Sequence, residues 1–294
     1  MDFETIDCRL CSSENWKPMF RKQHKDMEFQ IVRCNNCGFI FMNPMLTEEG
    51  IKKVYNSEYF HDYSSSVIDE KDRKSANIFY HYLLKKIEKQ TGMNKGNLLD
   101  IGCATGLFLD SVKKANPGWR LYGCDTSREC VELGRKGLKL NLKVGEIENC
   151  NYPENFFELV TMFEVIEHIR SPMTSLKEIN RVMKKGGYLV IQTGNNDSLI
   201  SKIYGKKHSY FIIYHVSYFS LKTIKMALEK NGFNVIKIGG IHYSQEVQLS
   251  ELGFNVKIYL KLLGLKALEK IKIGNFAVMG GMTVFAQKVK DIEG

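Results

Sequence analysis

Residues 98–108 read LLDIGCATGLF. Leucines and an isoleucine flank an aspartate, and glycines follow at positions 102 and 106. An apolar run that stops at glycine reads as a buried strand entering a tight turn, with a helix opening at Leu107. Glycine at such a turn removes the Cβ that would block both the bend and the approach of a ligand to the backbone. A dinucleotide fingerprint would be G-x-G-x-x-G. Here the pattern is D-x-G-x-x-x-G, with Ala104 where a middle glycine is common and Asp100 ahead of the turn. An acid in that place disfavours a pyrophosphate and suits a cationic ligand.

Outward from this turn, strand and helix patterns alternate. WRLYGCD (119–125) is a second strand, and SRECVELGRK a helix with Ser127 at its cap and Gly137 past its end. NLKVGEI and FELVTMF are third and fourth strands. SPMTSLKEINRVMKKGG is a helix capped by Ser171, with Pro172 in its first turn and lysines and glycine at its close. YLVIQTG, nearly all apolar, is a fifth strand covered on both faces. SLKTIKMALEKNGF is a capped helix, and NVIKIGGI and MTVFAQKVK are late strands. This rhythm implies an α/β, Rossmann-like, doubly wound sheet. Upstream, KSANIFYHYLLKKIEKQ has helical spacing and stops at Gly92.

In a doubly wound sheet the ligand crevice lies beyond the carboxyl ends of the strands. Asp125 closes the second strand, where a carboxylate can accept both hydroxyls of a ribose. Glu146 follows the third strand and can accept from an exocyclic amine. A ribose, an adenine amine and a positively charged amino-acid tail together describe S-adenosylmethionine (SAM).

Bulk properties agree with a globular chain: 294 residues, 44% hydrophobic and 26% charged, without an apolar run long enough to span a membrane. The start, MDFETIDCRLC, has no signal-peptide pattern, so a cytoplasmic location is the default expectation. The net charge of +9 comes from dispersed lysines without interleaved aromatics, which gives no strong nucleic-acid signal. Cys8, Cys11, Cys34 and Cys37 form C-x2-C, 22 residues, C-x2-C. Four thiolates at that spacing satisfy tetrahedral zinc, and a module this small needs such a staple.

Residues 95–195 resemble class I SAM-dependent methyltransferases. LLDIGCATG resembles their first motif, YGCD their second, GEIE their adenine contact, and residues 156–193 their fourth and fifth strand region. The resemblance implies a seven-stranded sheet whose last strand runs antiparallel. It implies a cofactor turn of Asp100, Gly102, Cys103, Ala104 and Gly106. Asp125 with Thr126, Glu146 with Ile147, and Phe163 would complete that site. Ala104 departs from the usual glycine.

FEVIEHI, after the fourth strand, places Glu164, Glu167 and His168 on one face if a helical turn follows. That cluster is a solvated cap, a general base or a divalent-metal site. Quinone-pathway O-methyltransferases resemble this segment and are associated with a divalent ion there, but an acid they often carry is Phe163 here. The segment YHVSYFS resembles an H-x-x-Y-F-S stretch of the same group. By that resemblance His215 is a candidate base, or a packed histidine, with Tyr214 and Tyr218 beside it. Catalytic candidates are therefore His215, His168 and Glu167. The Asn/Asp-Pro-Pro-aromatic motif of enzymes acting on base amines is replaced by Phe163-Glu164-Val165.

The N-terminal module, CNNCGFIFMNPMLTEEGIKKVYNSEYF included, resembles the zinc-binding front piece of some bacterial methyltransferases of sugars and small metabolites. The expected organisation is a zinc-ribbon-like module at 1–45, a helical linker and lid region at 46–94, and a SAM-binding domain at 95–294. Acceptor-pocket insertions are expected around 195–220 and 242–280. FNVKIYLKLLGLKALEKIKIG (254–274) reads as a packing or dimer helix, making a homodimer a candidate assembly, or as a membrane-surface contact. The expected reaction is methyl transfer from SAM to a small-molecule acceptor, first a sugar or sugar nucleotide, second a quinone-like phenol. RNA- or protein-directed methylation and non-catalytic SAM binding are the other readings.

Overall fold

The computed structural model describes residues 2–54, 70–239, 272–273, 276–277 and 281–292. Its centre is a seven-stranded sheet ordered β12-β15-β10-β9-β6-β7-β8. The parallel strands are β6 (Gly96–Ile101), β7 (Trp119–Asp125), β8 (Asn141–Val144), β9 (Phe157–Phe163) and β10 (Met183–Gly194). The last strand, β15 (Gly281–Lys288), is antiparallel to both β10 and β12 (Phe233–Gly239) and lies between them. The expected sheet and its antiparallel last strand are both present.

Strand periodicity divides the core. Leu98, Leu159 and Val190 point to one face, where α2 (Glu70–Thr91) contributes Leu83, Leu84 and Ile87 and α3 (Leu107–Ala115) contributes Phe108, Leu109 and Val112. Their neighbours Leu99, Val160 and Ile191 point to the other face. There they meet Leu176 and Ile179 of α5 (Pro172–Val182) and Ile224 and Leu228 of α7 (Leu221–Lys230). These sheet residues are fully buried, which is why the central strands read as unbroken apolar runs.

Three helix ends differ from the sequence reading. In α4 (Arg128–Leu138) Ser127 does cap, accepting from Cys130 N, but Gly137 lies inside and Lys139 takes the left-handed position. Helix α5 stops at Val182, because Met183 pairs with Phe157 of β9 and begins a bulged strand. Lys184, Lys185, Gly186 and Gly187 therefore belong to β10. Ser171 occupies the cap position of α5 without a side-chain hydrogen bond. Helix α7 has the full capping box between Ser220 and Thr223.

The N-terminal module begins with β1 (Phe3–Glu4), which pairs with β5 (Met45–Leu46) ahead of α1 (Glu48–Val54). Between them β2 (Trp16–His24), β3 (Met27–Cys34) and β4 (Ile40–Met42) form an antiparallel sheet. Pro18 sits on its edge strand β2, where a missing N–H costs no ladder bond. Its fourth strand is β11 (Ser217–Tyr218), which comes from the segment after β10 and α6 (Leu199–Tyr204). Phe39, Phe41 and Ile31 of the module share one hydrophobic cluster with the main sheet. A short β13–β14 pair (Lys272–Ile273, Phe276–Ala277) completes the described strands. Residues 254–271, in the segment read as a packing or dimer helix, lie outside the described residues, as do 242–271 of the second expected insertion. Among the described residues no helix is long and apolar enough to cross a membrane.

Helix α4 approaches the turn after β6 so closely that a Cβ on Gly134 would lie 2.4 Å from Thr105 O and 2.6 Å from Leu142 Cδ1. Gly134→Ala gains about 1 kcal/mol of helix propensity. Displacing the turn should cost about 1–3 kcal/mol and outweigh it. Thermal unfolding should show a lowered Tm; a raised Tm would mean the turn yields freely.

Candidate functional site

The turn from β6 to α3 is built against the end of β7. Gly102 N and Cys103 N both donate to Cys124 O (2.8 and 3.1 Å), and Gly106 N donates to Cys103 O (2.8 Å). Ala104 N donates to Asp125 Oδ2 (2.8 Å), while Asp125 Oδ1 accepts from Ser127 N (2.8 Å). Gly102 has φ +68, and a Cβ there would lie 2.2 Å from Val165 Cγ2. Ala104, where glycine is usual, takes a left-handed φ of 47, a conformation that costs an L-residue about 1 kcal/mol or more.

The turn borders a cleft enclosing about 600 Å³ of space open to solvent. Asp100, Gly102, Cys103, Ala104 and Phe163 line it, together with Phe79 and Tyr80 of α2 and Phe108 of α3. The described lining includes the acids Asp100 and Glu164 and no lysine or arginine. Burial pushes the Asp100 carboxyl up to about 7, against the hydroxyl of Thr161, which donates to Oδ1 at 2.7 Å. Burial also raises Asp125 above the usual carboxylate range. Four turn amides are spent on internal acceptors, and the described lining carries two acids and no lysine or arginine, a poor match for a phosphate. A cationic, hydroxyl-bearing ligand matches it.

The other predicted residues, Asp125 included, are not among the residues lining this cleft. Thr126 is exposed next to Asp125. Gly106 is the left-handed N-cap of α3. Glu146, exposed after β8, opens a 3-10 turn whose first residue, Ile147, is buried. Partial desolvation and the neighbouring Glu148 raise the Glu146 carboxyl.

A second group forms beyond β9. The expected helical face of Glu164, Glu167 and His168 does not form, because Glu164 takes φ +55 and lines the cleft beside Phe163. Instead Glu167, His168 and His215 bring one ligating atom each within 4.8 Å of one another. His168 Nδ1 donates to Tyr214 O (2.9 Å) and His215 Nδ1 to Tyr210 O (2.7 Å). A carbonyl only accepts, so each Nδ1 carries the proton, and the lone pair of each neutral ring is on Nε2. Burial lowers the His168 pKa and raises that of Glu167 well above the ordinary range. This set can hold a divalent cation or relay a proton.

Tyr210 organises that group and was not legible as a site residue. Its hydroxyl donates to Glu167 Oε1 (2.8 Å), accepts from Gly194 N (2.9 Å) and lies 3.0 Å from Thr193 Oγ1, which donates to Glu167 Oε2 (3.0 Å). Its ring lies on Gly194, where a Cβ would approach Cζ to 2.3 Å. The glycine ending YLVIQTG is the only local trace of this packing. Tyr218, expected beside the acceptor, is buried with its hydroxyl on Ile212 O.

The four cysteines of the N-terminal module converge. Cys8 Sγ is 3.5 Å from Cys37 Sγ, Cys11 Sγ is 3.6 Å from Cys34 Sγ, and all four sulfurs lie within 4.8 Å of one another. Both knuckles repeat one geometry: Ser12 N donates to Cys8 O and Gly38 N to Cys34 O, with Ser12 and Gly38 left-handed. Disulfides would need sulfurs about 2.05 Å apart, whereas thiolates around a tetrahedral zinc sit about 3.8 Å apart.

The sheet order and the cofactor-type cleft at the first strand's turn define the class: SAM-dependent methyltransferases of the Rossmann-like fold. The chain belongs to the methyltransferase domain family, whose model matches residues 69–238. An uncharacterized methyltransferase of Schizosaccharomyces pombe is 27% identical over 144 residues, 45% of this chain and 49% of that protein. The match thus spans about half the length of that relative. A ubiquinone biosynthesis O-methyltransferase of Coxiella burnetii is 24% identical over 172 residues, 54% of this chain and 73% of that one. A SAM-dependent methyltransferase of Thermotoga maritima, described as a possible histamine N-methyltransferase, shares the fold. It gives a TM-score of 0.53 at 21% identity, covering 79% of this chain and 97% of that one.

Proposed function

We propose that the protein transfers the methyl group of SAM to a hydroxyl of a small aromatic acceptor, with the Glu167–His168–His215 group receiving the proton. The observation that carries this reading is the acid-lined turn, whose amides are already committed to Cys124, Asp125 and Cys103. SAM, when bound, supplies an electrophilic methyl group. Asp100 would hold its ammonium, the remaining lone pairs of Asp125 would accept from its ribose hydroxyls, and Glu146, Ile147 and Phe163 would hold its adenine side. Methyl transfer from that group needs little beyond alignment of donor and acceptor, which the residues lining the cleft would supply. The acceptor proton passes to an imidazole Nε2, held neutral and oriented by its Nδ1–H bond to a carbonyl.

A phenol ionises more readily than a sugar hydroxyl and so suits a neutral imidazole base. The name of the Coxiella burnetii relative favours the same acceptor class. The sugar reading keeps one support of its own, the four-cysteine module, which resembles the front piece of some bacterial methyltransferases of sugars and other small metabolites. That module fits zinc by donor number, donor type and sulfur spacing, and we read residues 1–45 as its extent.

Two measurements test this reading. Asp100 favours the folded, ligand-free protein below the usual carboxylate range and loses that contribution as pH rises to about 7. A cationic ligand favours the ionised form. SAM affinity should therefore fall as pH drops from 7 to 5.5, by up to about tenfold per unit, and Asp100→Asn should flatten the slope. A wild-type affinity independent of pH over that range would remove Asp100 from the site. In a methylation panel of catechols, hydroxyquinols and sugar nucleotides, the aromatic acceptors should turn over. His215→Ala should lower kcat/KM about hundredfold or more with SAM affinity kept. Turnover of sugar nucleotides alone would transfer the assignment to the second reading.

A further inference from the structure

We infer that the four-cysteine centre is a positioning device for the Glu167–His168–His215 group, acting through the pairing of β4 with β11. The inference rests on reading the four cysteines as a metal centre, and it adds what that centre does for the acceptor side of the molecule.

The second knuckle leads directly into β4. Cys34 N donates to Phe39 O (2.8 Å) and Gly38 N to Cys34 O (3.0 Å), so the backbone leaves the metal site already set for Ile40. β4 pairs Ile40 with Tyr218 and Phe41 with Ser217, and Met42 N donates to Val216 O (3.0 Å). The same short segment turns its amides the other way: Val216 N and Ser217 N both donate to Glu167 O (2.9 and 3.0 Å). Between the knuckle and the carboxylate-bearing residue there are thus two layers of backbone hydrogen bonds and no long side chain. His215 immediately precedes the paired residues, and Tyr214, next to it, offers the carbonyl that orients His168.

The β2 edge grips the same segment from the other end. Phe20 packs edge-on against Phe211 with centroids 4.9 Å apart, Lys22 Nζ donates to Phe211 O (2.6 Å), and His24 lies against Tyr214 at 5.5 Å. Phe211 adjoins Tyr210, whose hydroxyl reaches Glu167 and whose carbonyl orients His215. Residues 210–219 are therefore held by the N-terminal module on one side and by Glu167, Gly194 and Asn196 on the other, whereas the amides of the SAM turn bond to β7 and to the turn itself. Too small to hold itself by core burial, the module depends on its metal, and metal loss should loosen 210–219 while sparing the turn.

The test is hydrogen exchange on the full-length protein, with zinc content and SAM affinity measured on the same samples. Zinc removal by chelation, or Cys34→Ser, should lower amide protection across 210–219 by about tenfold or more, with β6–β7 protection and SAM affinity changed less than about threefold. Phe20→Ala keeps all four cysteines. It should loosen 210–219 with zinc content unchanged, and so tests the grip even if Cys34→Ser fails to fold. Unchanged protection of 210–219 after metal loss or in Phe20→Ala overturns the inference. So does a parallel collapse of the SAM turn, which would make the centre a general fold element. Protein that purifies without zinc refutes the metal reading and, with it, this inference. Absence of SAM binding in the intact protein refutes the proposed reaction and leaves the exchange result to stand by itself.

Discussion

One carboxylate holds the cofactor edge of this molecule together. Asp125, at the carboxyl end of the second strand, accepts from Ala104 N through one oxygen and from Ser127 N through the other. The first bond pins a turn whose Ala104 is left-handed against its own preference, and the second starts α4. With the Cys124 carbonyl taking two further amides, the turn is closed from within. This constraint gives the cleft its chemistry: four of the turn's N–H groups are occupied, and the carboxylates of Asp100 and Glu164 line the opening. Removing Asp125 would release both the turn and the start of α4, so its loss cannot be read as one hydrogen bond.

A second tie joins the N-terminal module to the Glu167–His168–His215 group. The segment after β10 would be a long loop if it were supported by the main sheet alone. As β11 it becomes the fourth strand of the module's sheet, and its amides also satisfy Glu167 O. The turn after β6 is thus anchored by β7, and the segment of β11 by β4 together with Glu167. A single hydrophobic cluster spanning both sheets makes the arrangement one body.

Much of this was legible in sequence because the signals are local. Phe157–Phe163 and Trp119–Asp125 appear with the ends read from their apolar runs, and C-x2-C pairs announce their convergence by spacing alone. The turn was readable through Gly102 and Asp100, whose positions after a buried run admit few alternatives. What escaped depends on contacts far apart in the chain. Tyr210 is one aromatic among several in its stretch until Gly194 and Glu167 are brought to it. The β4–β11 pairing joins two- and three-residue strands about 175 residues apart, too short for any period to register. Glu164 misled because a helical spacing was assumed where the strand ends in a left-handed residue. Lys184 to Gly187 resemble a helix close, yet strand pairing at Met183 prevails over local propensity.

The central claim is that the turn beneath Asp125 accepts a nucleoside bearing an amino-acid tail and refuses a phosphate-bearing one. A crystal structure of the protein soaked with S-adenosylhomocysteine and NAD together tests it most directly. The account predicts S-adenosylhomocysteine in the cleft, its amino group towards Asp100 and its ribose hydroxyls on Asp125. NAD in that cleft, with its pyrophosphate over residues 102–106, would contradict it.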